Sequence, residues 1–297
     1  MSGWLDDKDW YSLLRRIQEG RCTPFLGAGV CAGTMPLAGD IAREWSAKYT
    51  YPLQDCDDLV RVSQFLAVDR DPAFPKEEMC RRFREMPPPD FSAADEPHSF
   101  LAGLPLPIYI TTNYDGTMLE ALRRRAKDAR RGFCPWNRYM RDEPSIFATG
   151  QEYDPTPANP LVFHLHGHID YPESIVLTED DYLDFVMNLS QDPDLLPHRI
   201  RRAFTGTSLL FLGYRIADWS FRVIFRSLVT YLERSIAKSH VSVQLVPYEN
   251  HLRPGDVPRV QEYLNRYFGK QDIRIYWGTA REFADELRQR WEDFQNA

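Results

Sequence analysis

Cysteine is sparse in this chain, and no two cysteines are spaced as a metal-binding or redox pair. The five in 297 residues, Cys22, Cys31, Cys56, Cys80 and Cys134, are scattered and odd in number, with no C-x-x-C among them. That excludes a disulfide framework and leaves free thiols in a reducing compartment as the simpler state. Long apolar runs are also missing: no stretch approaches the roughly 18 consecutive apolar residues of a membrane span. The first residues carry Trp4, Asp6, Asp7 and Lys8 in place of an apolar signal core. The expectation is a cytoplasmic protein with no membrane association. Positive charge is not in excess, since 36 Lys and Arg face 43 Asp and Glu for a net charge of −7. A globally basic nucleic-acid binder is excluded, and no direct nucleic-acid binding is expected. One local basic run, Arg123, Arg124, Arg125, Lys127, Arg130 and Arg131, reads first as a solvated helix face and second as a partner surface. Internal repeats and low-complexity linkers are lacking too.

What is present is ample apolar material, 43% of residues with 13% aromatic, arranged in alternating patterns. Residues 8–19 place Trp10, Leu13, Leu14 and Ile17 at helical spacing, and Gly20 is placed to stop the helix. Helices are also expected over 40–48 and 58–68, over about 218–234, and after Thr279, where Thr279 and Glu282 form a capping box. Short apolar runs at 22–27, 107–112, 161–166, 208–213, 241–246 and 272–277 read as buried strands. Alternation of such strands with amphipathic helices predicts an α/β fold, a Rossmann-like, mostly parallel sheet with helices on both faces. Residues 1–297 are expected to form a single domain. Insertions around 40–104, 131–160 and 171–206 are expected to build a helical cap over the functional edge, and 131–160 to hold little regular structure.

Three of the strands end in polar groups. The first ends in Gly27-Ala28-Gly29, where glycine lets the backbone adopt positive φ and lets a pyrophosphate approach the amides. A following helix would add its dipole. The third glycine of G-x-G-x-x-G is not at its usual spacing, so a plain strand-to-helix turn stands beside the phosphate reading. The second ends in Thr111-Thr112-Asn113-Tyr114-Asp115. Asn113 suits a water or a ribose hydroxyl, and Asp115 an amide or a hydroxyl. Both residue types also cap helices. The third ends in His164, His166 and His168. On a regular strand the three would share one face and invite a metal; if the strand stops at Gly167, they separate. His166 is then the best general-base candidate, and no metal ligand is assigned.

Together these runs resemble a sirtuin-like NAD-binding domain. The likeness lies in GAG at 27–29, TTNYD at 111–115, HG at 166–167, GTS at 206–208 and G-Y-x-x-x-D at 213–218, and it extends to SIVLTEDDY at 174–182. It is nearest to the bacterial branch of NAD-consuming effectors that defend against bacteriophage. The resemblance implies that Gly27, Ala28 and Gly29 cradle the NAD phosphates. It implies that Asn113 orients the attacking water or the nicotinamide-side ribose, and that Asp115 helps hold the carboxamide. His166 is implied as general base, and Thr207 and Ser208 as contacts to phosphate or ribose. NAD enters as substrate. No zinc is expected, because no cysteine follows Cys134 where a deacylating sirtuin carries two C-x-x-C pairs. Cys31 also stands where a serine is usual, and Thr112 where a glutamine is usual.

The implied activity is NAD glycohydrolysis, switched on by assembly or by a partner. A homo-oligomer is expected, with a separately encoded protein such as a DNA-translocating ATPase or a short Argonaute-like protein. The helix at 8–19 and the arginine run are candidate contact surfaces. The competing expectations are a module that binds NAD or ADP-ribose without turnover, a residual NAD-dependent deacylase, and a metal-dependent hydrolase using the histidines.

Overall fold

The computed structural model describes residues 5–93, 95–141, 145–147, 153–214, 240–244, 256–270 and 272–296. The expected helix at 218–234, and Asp218 with it, lie outside the described residues. Seven strands form one sheet: β1 (Cys22–Leu26), β2 (Ile108–Thr111), β3 (Arg130–Phe133), β4 (Leu161–His164), β5 (Ser208–Leu212), β6 (His240–Gln244) and β7 (Ile273–Trp277). Their order is β3-β4-β2-β1-β5-β6-β7, and every pairing is parallel. This is the Rossmann-like α/β architecture that the alternating pattern predicts.

The strands read as continuous apolar runs because both faces are covered. One face carries Phe25, Ile110, Phe163, Phe211 and Ile275 in a single buried cluster. The other carries Leu26, Tyr109, Val162, Leu210 and Val243. On the second face pack α1 (Asp7–Gln18), α5 (Pro97–Gly103), α6 (Thr117–Arg124) and the last helix, α10 (Ala280–Asn296). Trp10 of α1 stacks on Phe283 of α10 with ring centroids 5.4 Å apart. Helix α1 is thereby a packed core helix, started by an Asp6–Asp9 capping box. The capping box expected at Thr279 is also formed, with Glu282 N donating to Thr279 Oγ1 at 3.1 Å and Thr279 N donating back to Glu282 Oε2 at 2.7 Å.

The expectation of an irregular 131–160 overlooks β3. Its sequence, Arg-Arg-Gly-Phe, shows no apolar alternation because it is an edge strand that buries little. Charge on an edge strand also discourages pairing with another chain. Much of the arginine run is tied to the chain itself: Arg124 pairs with Glu120 at 2.9 Å, Lys127 donates to Leu104 O at 2.7 Å, and Arg131 pairs with Asp170 at 2.6 Å.

Three helices lie over one end of the sheet: α2 (Ala38–Lys48), α3 (Leu59–Asp69) and α4 (Phe74–Glu85). They share their own small core, built on Ile41, Trp45, Val62, Leu66 and Met79, and closed by Ile175 and Leu177. The next helices after β4 are α7 (Glu179–Gln191) and α8 (His198–Gly206). Helix α8 packs Ile200 and Phe204 into the sheet core, so this part of 171–206 covers a sheet face, as α5 does within 40–104. Helix α9 (Val257–Gly269) precedes β7.

Candidate active site

The chain runs outward from β1 through β2 to the edge strand β3, inserts β4 between β2 and β3, then returns to place β5 on the other side of β1. Parallel sheets bind ligands outside the carboxyl ends of the strands at such a reversal. A cavity of about 180 Å³ lies there. Its floor collects the ends of four strands: Ala28 and Cys31 after β1, Thr112 to Asp115 after β2, His166 after β4, and Gly213 and Tyr214 after β5. Its wall is apolar, with Ile41, Met79 and Phe83 from the overlying helices and Leu177 from the segment before α7.

Asn113 is fixed from three sides. Its N–H donates to Thr111 Oγ1 at 2.9 Å, and the Thr111 hydroxyl donates in turn to Leu26 O at 3.2 Å. Its carbonyl accepts from His164 Nδ1 at 3.1 Å. Its side-chain Nδ2 donates to Gly27 O at 3.3 Å. Since Gly27 O can only accept, the amide nitrogen must face it, and Oδ1 is the remaining end of the group. The neighbouring Tyr214 hydroxyl donates to Leu26 O at 2.8 Å and accepts from Thr112 Oγ1 at 2.9 Å, which ties β1, β2 and β5 together at the floor.

His166 is buried, and its ring meets the edges or faces of Tyr182 and Phe185 at 5.2 and 5.0 Å. Its Nε2 has no hydrogen-bond partner among the described residues. Burial lowers its pKa to about 3, so the imidazole is neutral at physiological pH. The other two histidines go elsewhere. His164 and His168 meet edge to face at 4.8 Å and pack on Phe133. The alternation therefore does not gather three imidazoles on one face. No group of three His, Cys, Asp or Glu side chains fit for a metal occurs among the described residues.

Asp115 borders the cavity and also caps: its Oδ1 accepts from Thr117 N at 2.8 Å in the first turn of α6. The glycine turn is placed at the floor, but the amides of its two glycines are spent inside the protein. Gly27 N donates to Leu212 O and Gly29 N to Gly213 O, both at 2.8 Å. A Cβ on Gly27 would lie 2.7 Å from the Tyr214 ring, and one on Gly29 would lie 2.9 Å from Gly213 Cα. Close packing of β1's end against β5's end is what requires glycine here, and Ala28 is the residue of the three that borders the cavity. The segment after the turn is a four-residue 3-10 turn, Ala28–Cys31, and α2 begins only at Ala38, so no α-helix dipole stands directly behind the turn.

Thr207 and Ser208 are not brought to the cavity. Ser208 opens β5, paired with Cys22 at the start of β1, at the opposite edge of the sheet. The Thr207 hydroxyl is used on Ala203 O and Thr23 Oγ1, both at 2.8 Å. What β5 brings to the cavity comes from its other end, Gly213 and Tyr214, which the Gly-Tyr pair after an apolar run could have signalled. Cys31 and the apolar wall have no motif of their own; only the folded sheet brings them to the site.

A family model described as SIR2-like domain matches residues 107–273, more than half of the chain. A protein named NAD(+) hydrolase ThsA from Acinetobacter baumannii (strain 532279) is 22% identical over 290 residues, covering 94% of this chain and 55% of that protein. Another of that name from Bacillus cereus (strain MSX-D12) is 24% identical over 182 residues, covering 61% of this chain and 33% of that protein. The chain spans about half the length, or less, of these curated relatives. A solved Sir2 enzyme superposes with a TM-score of 0.40 at 11% identity, over 98% of this chain and 100% of that one, too loosely to bear on the site. The matched segment holds β2, β4, β5 and their polar ends, Asn113, His166 and Tyr214 among them, and by that match the chain belongs to the SIR2-like domain family.

Proposed function

We propose that this chain hydrolyses NAD to nicotinamide and ADP-ribose. The observation that carries the reading is one cavity holding a fixed carboxamide, Asn113, and a neutral buried imidazole, His166, under an apolar wall. The names of its relatives, NAD(+) hydrolase, support it.

In the proposed reaction the apolar wall takes the nicotinamide ring and the polar floor takes its ribose. The bond between ring nitrogen and C1′ breaks with its electron pair going to the pyridinium, which leaves neutral. No strong general acid is needed for such a leaving group. C1′ becomes oxocarbenium-like and is captured by one water, whose proton passes to an acceptor and then to solvent. Asn113 holds the water or a ribose hydroxyl. His166, with its proton affinity lowered by burial, accepts a hydrogen bond from a ribose hydroxyl or the water. Positioning of this kind supplies several kcal/mol.

An unrestrained enzyme of this kind would empty its own cell of NAD. We therefore read it as a cytoplasmic effector of defence against bacteriophage, gated by self-assembly or by a separately encoded partner such as a DNA-translocating ATPase or a short Argonaute-like protein. The test of the chemistry is incubation with NAD in ¹⁸O-water. One labelled oxygen in ADP-ribose for each nicotinamide released is expected. Unlabelled product would indicate cyclisation or transfer, and NAD bound but unchanged would indicate a binding module.

A further inference from the structure

The proposed reaction leaves one buried chain of polar groups unused. Glu96 and His98, at the start of α5, are 3% and 1% exposed, and Cys31, after β1, is 4% exposed. Glu96 Oε1 accepts from His98 Nδ1 at 2.7 Å, and Glu96 Oε2 accepts from Ser99 N at 2.5 Å. The far ring nitrogen, His98 Nε2, faces Cys31 Sγ at 3.9 Å. Cys31 Sγ in turn accepts from Asn113 Nδ2 at 3.8 Å and borders the cavity. Capping of α5 explains Glu96 alone; it does not explain a histidine and a thiol continuing the line to Asn113.

The direction of each bond follows from which group holds a proton. Burial raises the Glu96 carboxyl, but hydrogen bonds from His98 and Ser99 outweigh it and the net shift is downward. Glu96 is therefore an ionised acceptor and His98 Nδ1 carries a hydrogen. Burial, then Asp115 and Glu96, pushes the Cys31 thiol well up, so it keeps its proton. Its sulfur lies between His98 Nε2 and Asn113 Nδ2.

We propose that Glu96, His98 and Cys31 are positioning residues that lock the Asn113 carboxamide, with one Nδ2 hydrogen on Gly27 O and the other on Cys31 sulfur, so that Oδ1 is held toward the cavity as the acceptor for the attacking water or a ribose hydroxyl. The geometry stands by itself; its catalytic consequence rests on the proposed hydrolysis. Unused by a nucleophile, the thiol acts as a relay between a carboxylate and an amide. Such chains polarise and orient their members.

Two measurements test this. In NAD hydrolysis, Cys31→Ala should lower kcat roughly 10- to 100-fold, the scale of a small misplacement at a reacting centre, with KM within about twofold. Cys31→Ser, whose hydroxyl both donates and accepts, should recover most of that loss. A packing role predicts the reverse order, because a buried hydroxyl fits an apolar space worse than alanine does. The second measurement needs no turnover. The Asn113 side-chain amide pair in ¹⁵N spectra, assigned by its absence in Asn113→Ala, should move in Cys31→Ala and stay near its place in Cys31→Ser. An amide pair unmoved by Cys31→Ala, or serine no better than alanine, overturns the relay. If the wild-type chain turns over no NAD, the hydrolysis reading fails, and the amide resonances alone decide whether the carboxamide is locked.

Discussion

Gly29 donates its amide hydrogen to Gly213 O at 2.8 Å, and this bond joins the end of β1 to the end of β5 at the floor of the cavity. Gly213 has φ of +77°, and a Cβ there would collide with Val30 N and Gly27 O. The two glycines are matched by packing, so the floor is built before any ligand enters.

Gly213→Ala should therefore cost stability. The left-handed backbone alone accounts for roughly 1–2 kcal/mol, and the collision is with backbone, which cannot swing aside. The expected loss is at least about 2 kcal/mol, on the scale of strain at a special backbone position. Urea unfolding of the variant beside wild type measures it. An unchanged midpoint would contradict the packing described.

Asn113→Ala and His166→Ala should separate in stability while agreeing in activity. Both should reduce NAD hydrolysis by at least roughly 100-fold, the scale of losing one catalytic hydrogen-bonding group. Asn113 stands at the cavity, and losing its bonds to Gly27 O and Cys31 Sγ should cost only about 1 kcal/mol of stability. His166 is buried and packs against Tyr182 and Phe185, so alanine leaves a hole. A loss of about 2–4 kcal/mol is expected, as for other large buried rings. Kinetics with thermal unfolding on both variants checks the pair.

Thr207→Val and Ser208→Ala should leave KM for NAD unchanged. Thr207 spends its hydroxyl on Ala203 O and Thr23 Oγ1, far from the cavity, and removing those bonds should cost about 1 kcal/mol of stability. A raised KM with unchanged melting would place these residues at the ligand after all.

Stability should fall as pH drops from about 6.5 toward 4. Burial holds His164 and His166 at about 3, and His168 and His240 at about 4, against an ordinary value of 6.5. In that window the unfolded chain binds protons at these four sites and the folded chain does not. Stability therefore rises with pH through the window and levels off above it. Unfolding at a series of pH values, with the slope giving the protons taken up, measures this. A flat profile between pH 4 and 6.5 would contradict the buried neutral histidines.

The sheet was legible because its strands are apolar on both faces and stand apart in the chain. Phe25, Ile110, Phe163 and Phe211 each announce a strand without help from tertiary contacts. β3 was not, because an edge strand that reads Arg-Arg-Gly-Phe buries too little to leave a pattern. In the site, Asn113 and His166 follow strands closely enough for the carboxyl-end rule to find them. Thr207 precedes β5 and Ser208 opens it, and the same rule, applied to the direction of β5, points past them to Gly213 and Tyr214. Cys31 comes from the turn after β1 and Glu96 and His98 from the start of α5, and the meeting of the two segments is a product of the fold alone.

NAD consumption by the purified chain over a range of protein concentrations, with Asn113→Ala alongside, is the most direct test. The account predicts loss of NAD matched by nicotinamide release and absent in the variant, with a rate that climbs more steeply than protein concentration if assembly gates the site. Tight NAD binding with no nicotinamide at any concentration, or equal turnover by Asn113→Ala, would contradict it.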